Sequence, residues 1–176
     1  MAAYVRNYLV TFLFVALDDV DLGEEGWKIV GNILYNAQFV NSEITTSASS
    51  DSLTVNFVTK QSSSDLFDLA LSETVLGETI PTFAYHLAPI VVLVIAGLFA
   101  ARQLRGLDVA SGAAAGAAIL PGTLVSSALG VFLFETSGNI LGESVTLAPE
   151  LLTGILLVGV VVPAVAGAVG GAIDGS

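Results

Sequence analysis

Three stretches of this chain carry no Asp, Glu, Lys or Arg: residues 81–101, 109–134 and 151–173. Apolar sequence of that length stands in a bilayer as a helix, because a helix satisfies its own backbone where water is absent. As helices the runs would extend roughly 32, 39 and 34 Å, against a hydrocarbon core of about 30 Å. The second exceeds the core, so it should tilt or leave its first turn outside. The third, with the turn that leads into it, is expected over 148–173. Only 12% of the 176 residues are charged and 54% are apolar. Soluble domains carry about 25% charged residues. Mean hydropathy is +0.84. A soluble globule is therefore excluded in favour of an integral membrane protein.

The N-terminus predicts a further, shorter span. Residues 7–17 are uncharged and follow Arg6. Counted from Met1 the segment has 17 residues, the lower limit for crossing if Arg6 snorkels to the interface. The competing reading is a signal peptide, but no A-x-A pattern precedes Asp18 and Asp19. With spans at 1–17, 81–101, 109–134 and 148–173, the expected fold is an all-α bundle of four transmembrane helices. An extracytoplasmic insertion, 18–80, separates spans one and two.

Basic residues orient it. Arg6 precedes the first span, and Arg102 and Arg105 follow the second. The positive-inside rule puts these, and both termini, in the cytoplasm of a multi-pass cell-membrane protein. The outer side then holds 14 acids and two bases, Lys28 and Lys60, out of a total charge of −11. A surface this acidic fits life in concentrated salt, where screening relieves the self-repulsion. The rival is an acidic vestibule for cations. Nothing here makes a basic patch, so a nucleic-acid partner is excluded.

The insertion is too long to be a bare loop. Residues 24–40 predict a helix, with Trp27, Val30, Leu34 and Ala37 at helical spacing. Trp27, Tyr35, Asn36 and Phe39 form a candidate interfacial motif, since amphipathic rings favour the membrane surface. Residues 53–59 put Leu53, Val55 and Phe57 on one face of a possible strand, and 44–58 a possible hairpin. Residues 65–76 predict a short helix ending at Gly77. Asn32 and Asn36 stand one turn apart, suited to hydrogen-bonding loop backbone. Asp18, Asp19, Asp21, Glu24 and Glu25 read as a solvated acidic loop, without the spacing of a calcium loop.

Spans three and four carry small residues at four-residue spacing: Gly112 and Gly116, then Gly167 and Gly171. Lipid gives helices no hydrophobic reason to associate, so close backbone approach must supply the contact. These glycines are the expected helix-packing surface, within one chain or between copies. Pro89, Pro121 and Pro163 should each interrupt a span. Gly112 precedes Pro121, and Gly154 precedes Pro163, by nine residues, a faint inverted-repeat pattern.

The stretch WKIVGNILYNAQFV, followed by VNFV, resembles a family of small haloarchaeal multi-span membrane proteins with no assigned activity. The residues that carry the likeness are Trp27, Lys28, Val30, Gly31, Tyr35, Asn36, Ala37, Phe39 and Val40. Val55 to Val58, Pro163, Gly170 and Gly171 continue it. Residues 60–80 are longer and more acidic than the family's pattern. The resemblance implies architecture and source, not chemistry.

Ionisable groups at membrane depth are functional candidates by default. His86, in the outer third of span two, and Glu150, at the mouth of span four, form a candidate polar membrane site. The plainer roles are an interfacial anchor for His86 and a helix-dipole partner for Glu150. With no Cys and one His, no cofactor, disulfide or multi-His metal site is expected. No G-x-S-x-G, H-E-x-x-H or Walker loop occurs, and no enzyme activity is expected. The functional expectation is a non-enzymatic accessory or structural membrane subunit. Its partners would be the lipid bilayer and itself or another membrane protein. The alternatives are a small oligomeric transporter or channel and, more weakly, a sensor using the acidic cap.

Overall fold

A computed structural model describes residues 1–20, 23–47, 52–64, 76, 79–104, 108–140 and 143–174. The helices are α1 (Ala2–Leu17), α2 (Gly26–Asn36), α3 (Thr82–Arg102), α4 (Val109–Leu133) and α5 (Leu151–Asp174). Three of them, α3, α4 and α5, are long and apolar enough to cross a bilayer. The first helix is apolar but has only 16 residues, roughly 24 Å. The last span begins at Leu151, not 148. The helix expected over 24–40 is Gly26–Asn36, and the helix expected over 65–76 lies, apart from Leu76, outside the described residues.

An all-α fold is corrected by a five-stranded antiparallel sheet, ordered β3-β2-β1-β5-β4. The insertion supplies β1 (Ser42–Thr46), β2 (Ser52–Asn56) and β3 (Gln61–Ser62). The α4–α5 connection supplies β4 (Thr136–Ile140) and β5 (Glu143–Pro149). The two pieces join where β1 pairs with β5, Ser42 opposite Pro149. The sheet therefore crowns the end of the bundle where α4 stops and α5 starts.

Proline chemistry marks two of the long helices. A 3₁₀ turn, Ala117–Ile119, comes just before Pro121, and a π-helical stretch, Leu157–Val161, comes just before Pro163. A proline cannot donate to the carbonyl four residues back, so the ladder loosens there. By contrast α3 runs as α-helix through Pro89.

Asp108 caps α4 by accepting from the Ser111 amide at 2.8 Å. That bond holds its carboxyl below the usual carboxylate range. Beside it Arg102 Nε meets Asp174 at 3.0 Å, tying the last turns of α3 and α5. At most about 1 kcal/mol comes from so exposed a pair.

Candidate functional site

The crowned end of the bundle holds most of the buried polar groups, beginning with Asp18. This residue follows α1 and is 1% exposed. Its Oδ1 accepts from the amides of Thr79 and Ile80, each at 2.8 Å, and its Oδ2 from the Tyr85 hydroxyl at 2.7 Å. Charge-assisted bonds of this kind are roughly twice as strong as neutral ones. One carboxylate thus closes the insertion at its base, holding the end of α1 against the start of α3. Reading Asp18 with a solvated acidic loop is corrected by this burial. Glu25 does lie in solvent. It pairs with Lys28 at 3.0 Å and accepts from the Thr136 hydroxyl, linking α2 to β4. The Thr136 bond, then Lys28, lowers its pKa.

Helix α2 sits above this clamp, enclosed by α1 and the sheet. All seven residues from Val30 to Asn36 are buried, so this stretch has no wet face. The interfacial motif is accordingly corrected. Trp27 and Phe39 are exposed, but Tyr35 and Asn36 are fully buried. The Asn36 amide donates to the Val40 carbonyl at 2.8 Å and to Ser42 Oγ at 3.2 Å, while its Oδ1 accepts from the Phe57 amide at 2.9 Å. Asn32 donates to the Phe134 carbonyl at 2.9 Å and accepts from Ser42 Oγ at 2.8 Å. Two asparagines one turn apart thus bind α2 to α4, β1 and the chain after β2.

Tyr35 reaches downward. Its hydroxyl donates to the Ser127 carbonyl at 2.6 Å and accepts from Tyr4 at 3.1 Å. Ser127 Oγ in turn donates to the Gly154 carbonyl at 3.0 Å. Thr123 Oγ1 lies 3.1 Å from the Gly159 carbonyl. Pro163 stands four residues after Gly159 and has no N–H, so it cannot donate back to that carbonyl. The same hydroxyl also lies 3.0 Å from the Leu120 carbonyl of its own helix, so α4 and α5 share its one proton. Two buried acceptors, Asn7 Oδ1 and Gln38 Oε1, have no partner among the described residues.

Farther from the sheet the packing is made of glycines. A Cβ at Gly116 would collide with the backbone of Gly167 and Gly171, and one at Gly171 with the Gly112 carbonyl. Gly97 of α3 meets Gly167 in the same way, and Gly170 meets Val94. The four candidate packing glycines thus face one another within one chain.

His86 Nδ1 stands 2.8 Å from the Ala37 carbonyl. A carbonyl only accepts, so this nitrogen carries the proton. The ring stacks on Phe39, with centroids 4.6 Å apart and planes within 3°. Phe39 adopts a left-handed backbone, φ 64°, which turns its side chain over His86. Glu150 precedes α5, and its amide donates to the Asn41 carbonyl at 3.0 Å. Among the described residues no hydrogen bond or ion pair joins His86 to Glu150. Each fastens a span to the cap separately. No group of three or more His, Asp or Glu among the described residues stands close enough to hold a metal.

Sequence reasoning missed Asp18 and Tyr4. Asp18 gave no signal beyond its place at the end of an apolar run. Tyr4 stands one turn before Tyr8 on α1.

Residues 1–176 match the family described as Family of unknown function (DUF7978). No curated protein and no solved structure matches the chain.

Proposed function

The chain belongs to that family, and from its own residues we propose a non-enzymatic accessory or structural subunit of a membrane. In this reading α1 is a fourth span, both termini face the cytoplasm, and the sheet and α2 form an outer cap. The Thr123–Gly159 contact carries the reading. In this reading a polar side chain at membrane depth is turned onto the carbonyls of its own and a neighbouring helix rather than facing a path. Tyr4, Tyr35 and Ser127 do the same between helices. Groups so engaged favour a rigid scaffold over a conduit. The acidic outer surface would suit a medium of high ionic strength.

Mild extraction from native membranes, with the complex mass measured and every co-purifying chain identified, tests this. A stoichiometric partner is the expected result. Ion or solute flux through the pure protein in liposomes would overturn it. Single cysteines test orientation. With an impermeant thiol reagent on intact cells, Ser137→Cys should label and Gln103→Cys should not.

A second reading, a small oligomeric transporter or channel, is favoured by one atom. Asn7 Oδ1 is buried on α1 without a partner among the described residues. Buried amides without partners are costly, so such an atom invites a ligand or another chain. Asn7→Leu should stabilise the protein in detergent if no ligand comes there, and should abolish flux if one does.

A further inference from the structure

Asp18 meets Tyr85 at one end of α1, and Met1 shares a cavity with Gln103 near the other, so α1 and α3 run antiparallel. That cavity, about 520 Å³, opens between α1, α3 and α4, near the bundle end bearing Arg102 and Asp108. Arg6 and Gln103 provide its polar lining, and Phe99 and Ile119 its apolar floor. A second hollow of about 290 Å³ shares Arg6 and runs between Leu9 of α1 and Val92 and Ile95 of α3. It is almost wholly apolar. Arg6 thus stands where a polar hollow meets an apolar track.

Its charge is unmatched. Among the described residues the Arg6 side chain has no hydrogen bond or ion pair, although acids outnumber bases 16 to 5 in the chain. Arg102, by contrast, is neutralised by Asp174. No carboxylate is among the described lining residues of either hollow. Arg6 lies about 6 Å along α1 from Ala2, within snorkelling reach of an interface. A guanidinium there offers a fork of donors that matches phosphate oxygens.

We propose that these two hollows seat one anionic phospholipid, its phosphate on Arg6 and Gln103 and one hydrocarbon chain along Leu9, Val92 and Ile95. A basic pocket between membrane helices on the cytoplasmic side is a recognised setting for such headgroups. The site rests on the four-span membrane reading, since α1 must stand in the bilayer beside α3.

Native mass spectrometry of the whole protein from neutral detergent tests it, with phosphatidylglycerol and phosphatidylcholine of identical chains as probes. Phosphatidylglycerol should bind about tenfold more tightly, because phosphatidylcholine carries a cation beside the same phosphate and so presents no net charge to Arg6. Arg6→Gln should remove that preference, and Arg6→Lys should keep part of it. Gln103→Glu puts a repelling charge at the mouth from an exposed position, so it decides the matter even where an Arg6 variant fails to fold. It should weaken phosphatidylglycerol and leave phosphatidylcholine unchanged. Equal binding of the two lipids, or a preference that survives both Arg6→Gln and Gln103→Glu, overturns the proposal. Alkaline extraction separates the two claims. Protein released into the soluble fraction defeats the membrane reading itself, whereas protein retained without a lipid preference defeats only the site.

Discussion

The two ends of the bundle cohere by opposite means. Away from the sheet, α3, α4 and α5 approach through Gly97, Gly116, Gly167 and Gly171, where contact depends on side chains being absent. At the crowned end Asp18, Asn32, Asn36 and Tyr35 join elements that glycine could not, by hydrogen bonds across the gaps. The glycine seam is tolerant of depth and intolerant of size. The crown is intolerant of lost partners, and of size only where a ring lies on a glycine, as Phe134 does on Gly31. Close approach suits lipid, which offers no hydrophobic drive. Directed polar bonds suit the crown, where irregular chain must have its backbone groups satisfied.

Substitutions should separate the two devices. The largest effect is expected at the seam. Gly116→Leu drives a Cβ into backbone, which cannot swing aside, and should cost about 3 kcal/mol or more. Thermal unfolding in detergent, followed by circular dichroism, reads it. Gly138→Ala in β4, where a Cβ meets open space, should change nothing beyond about 0.5 kcal/mol. If the two variants melt alike, the seam is not what holds the spans.

Asp18→Ala comes next, at about 2–3 kcal/mol, because two amides and a tyrosine hydroxyl lose their acceptor. Hydrogen exchange should quicken at Ile80 while α5 stays protected. Uniform exchange across both regions would mean that the ends are one cooperative unit. Thr123→Val is smaller, about 1 kcal/mol, the scale of one hydrogen bond between membrane helices. An unchanged midpoint would mean that the Gly159 carbonyl finds another donor.

The smallest effect is in pH. Glu25 at the crown and Asp108 at the far end are both held below their ordinary carboxylate range. The unfolded chain therefore takes up those protons first as pH falls. Their stabilisation is complete above about pH 5 and fades as pH drops through about 4 and below. Asp108→Ala should lower the melting temperature at neutral pH, and the gap to the parent should narrow as pH falls below about 4. A gap that persists there would assign the loss to something other than the carboxylate.

Much of the seam was legible, because its signal is local. Charge-free length and glycines four apart are read within one helix. The hairpin of β1 and β2 was legible for the same reason, through Leu53, Val55 and Phe57. The rest of the sheet was not. Ser137, Gly138 and Asn139 of β4 are exposed, and a strand wet on both faces has no alternation to read. Asp18 was hidden by distance: its partners Thr79, Ile80 and Tyr85 lie 61 to 67 positions away. Composition made it one more acid among many. Tyr35 and Asn36 looked amphipathic in isolation and became core only because the sheet and α1 closed around α2.

The junction between β1 and β5 carries a consequence in time. Ser42 through Thr46 pair with Val145 through Pro149, across about 100 residues of chain. At ribosomal rates of about 5–20 residues per second, the first hairpin would wait roughly 5–20 seconds for its neighbour to be made. Until then β1 presents an open row of amides and carbonyls, which other strands can join. Its Ser, Glu and Thr side chains, unlike an apolar edge, let water occupy that row in the interval. The crown thus closes only once β5 has been made, and the polar edge of β1 keeps it available until then.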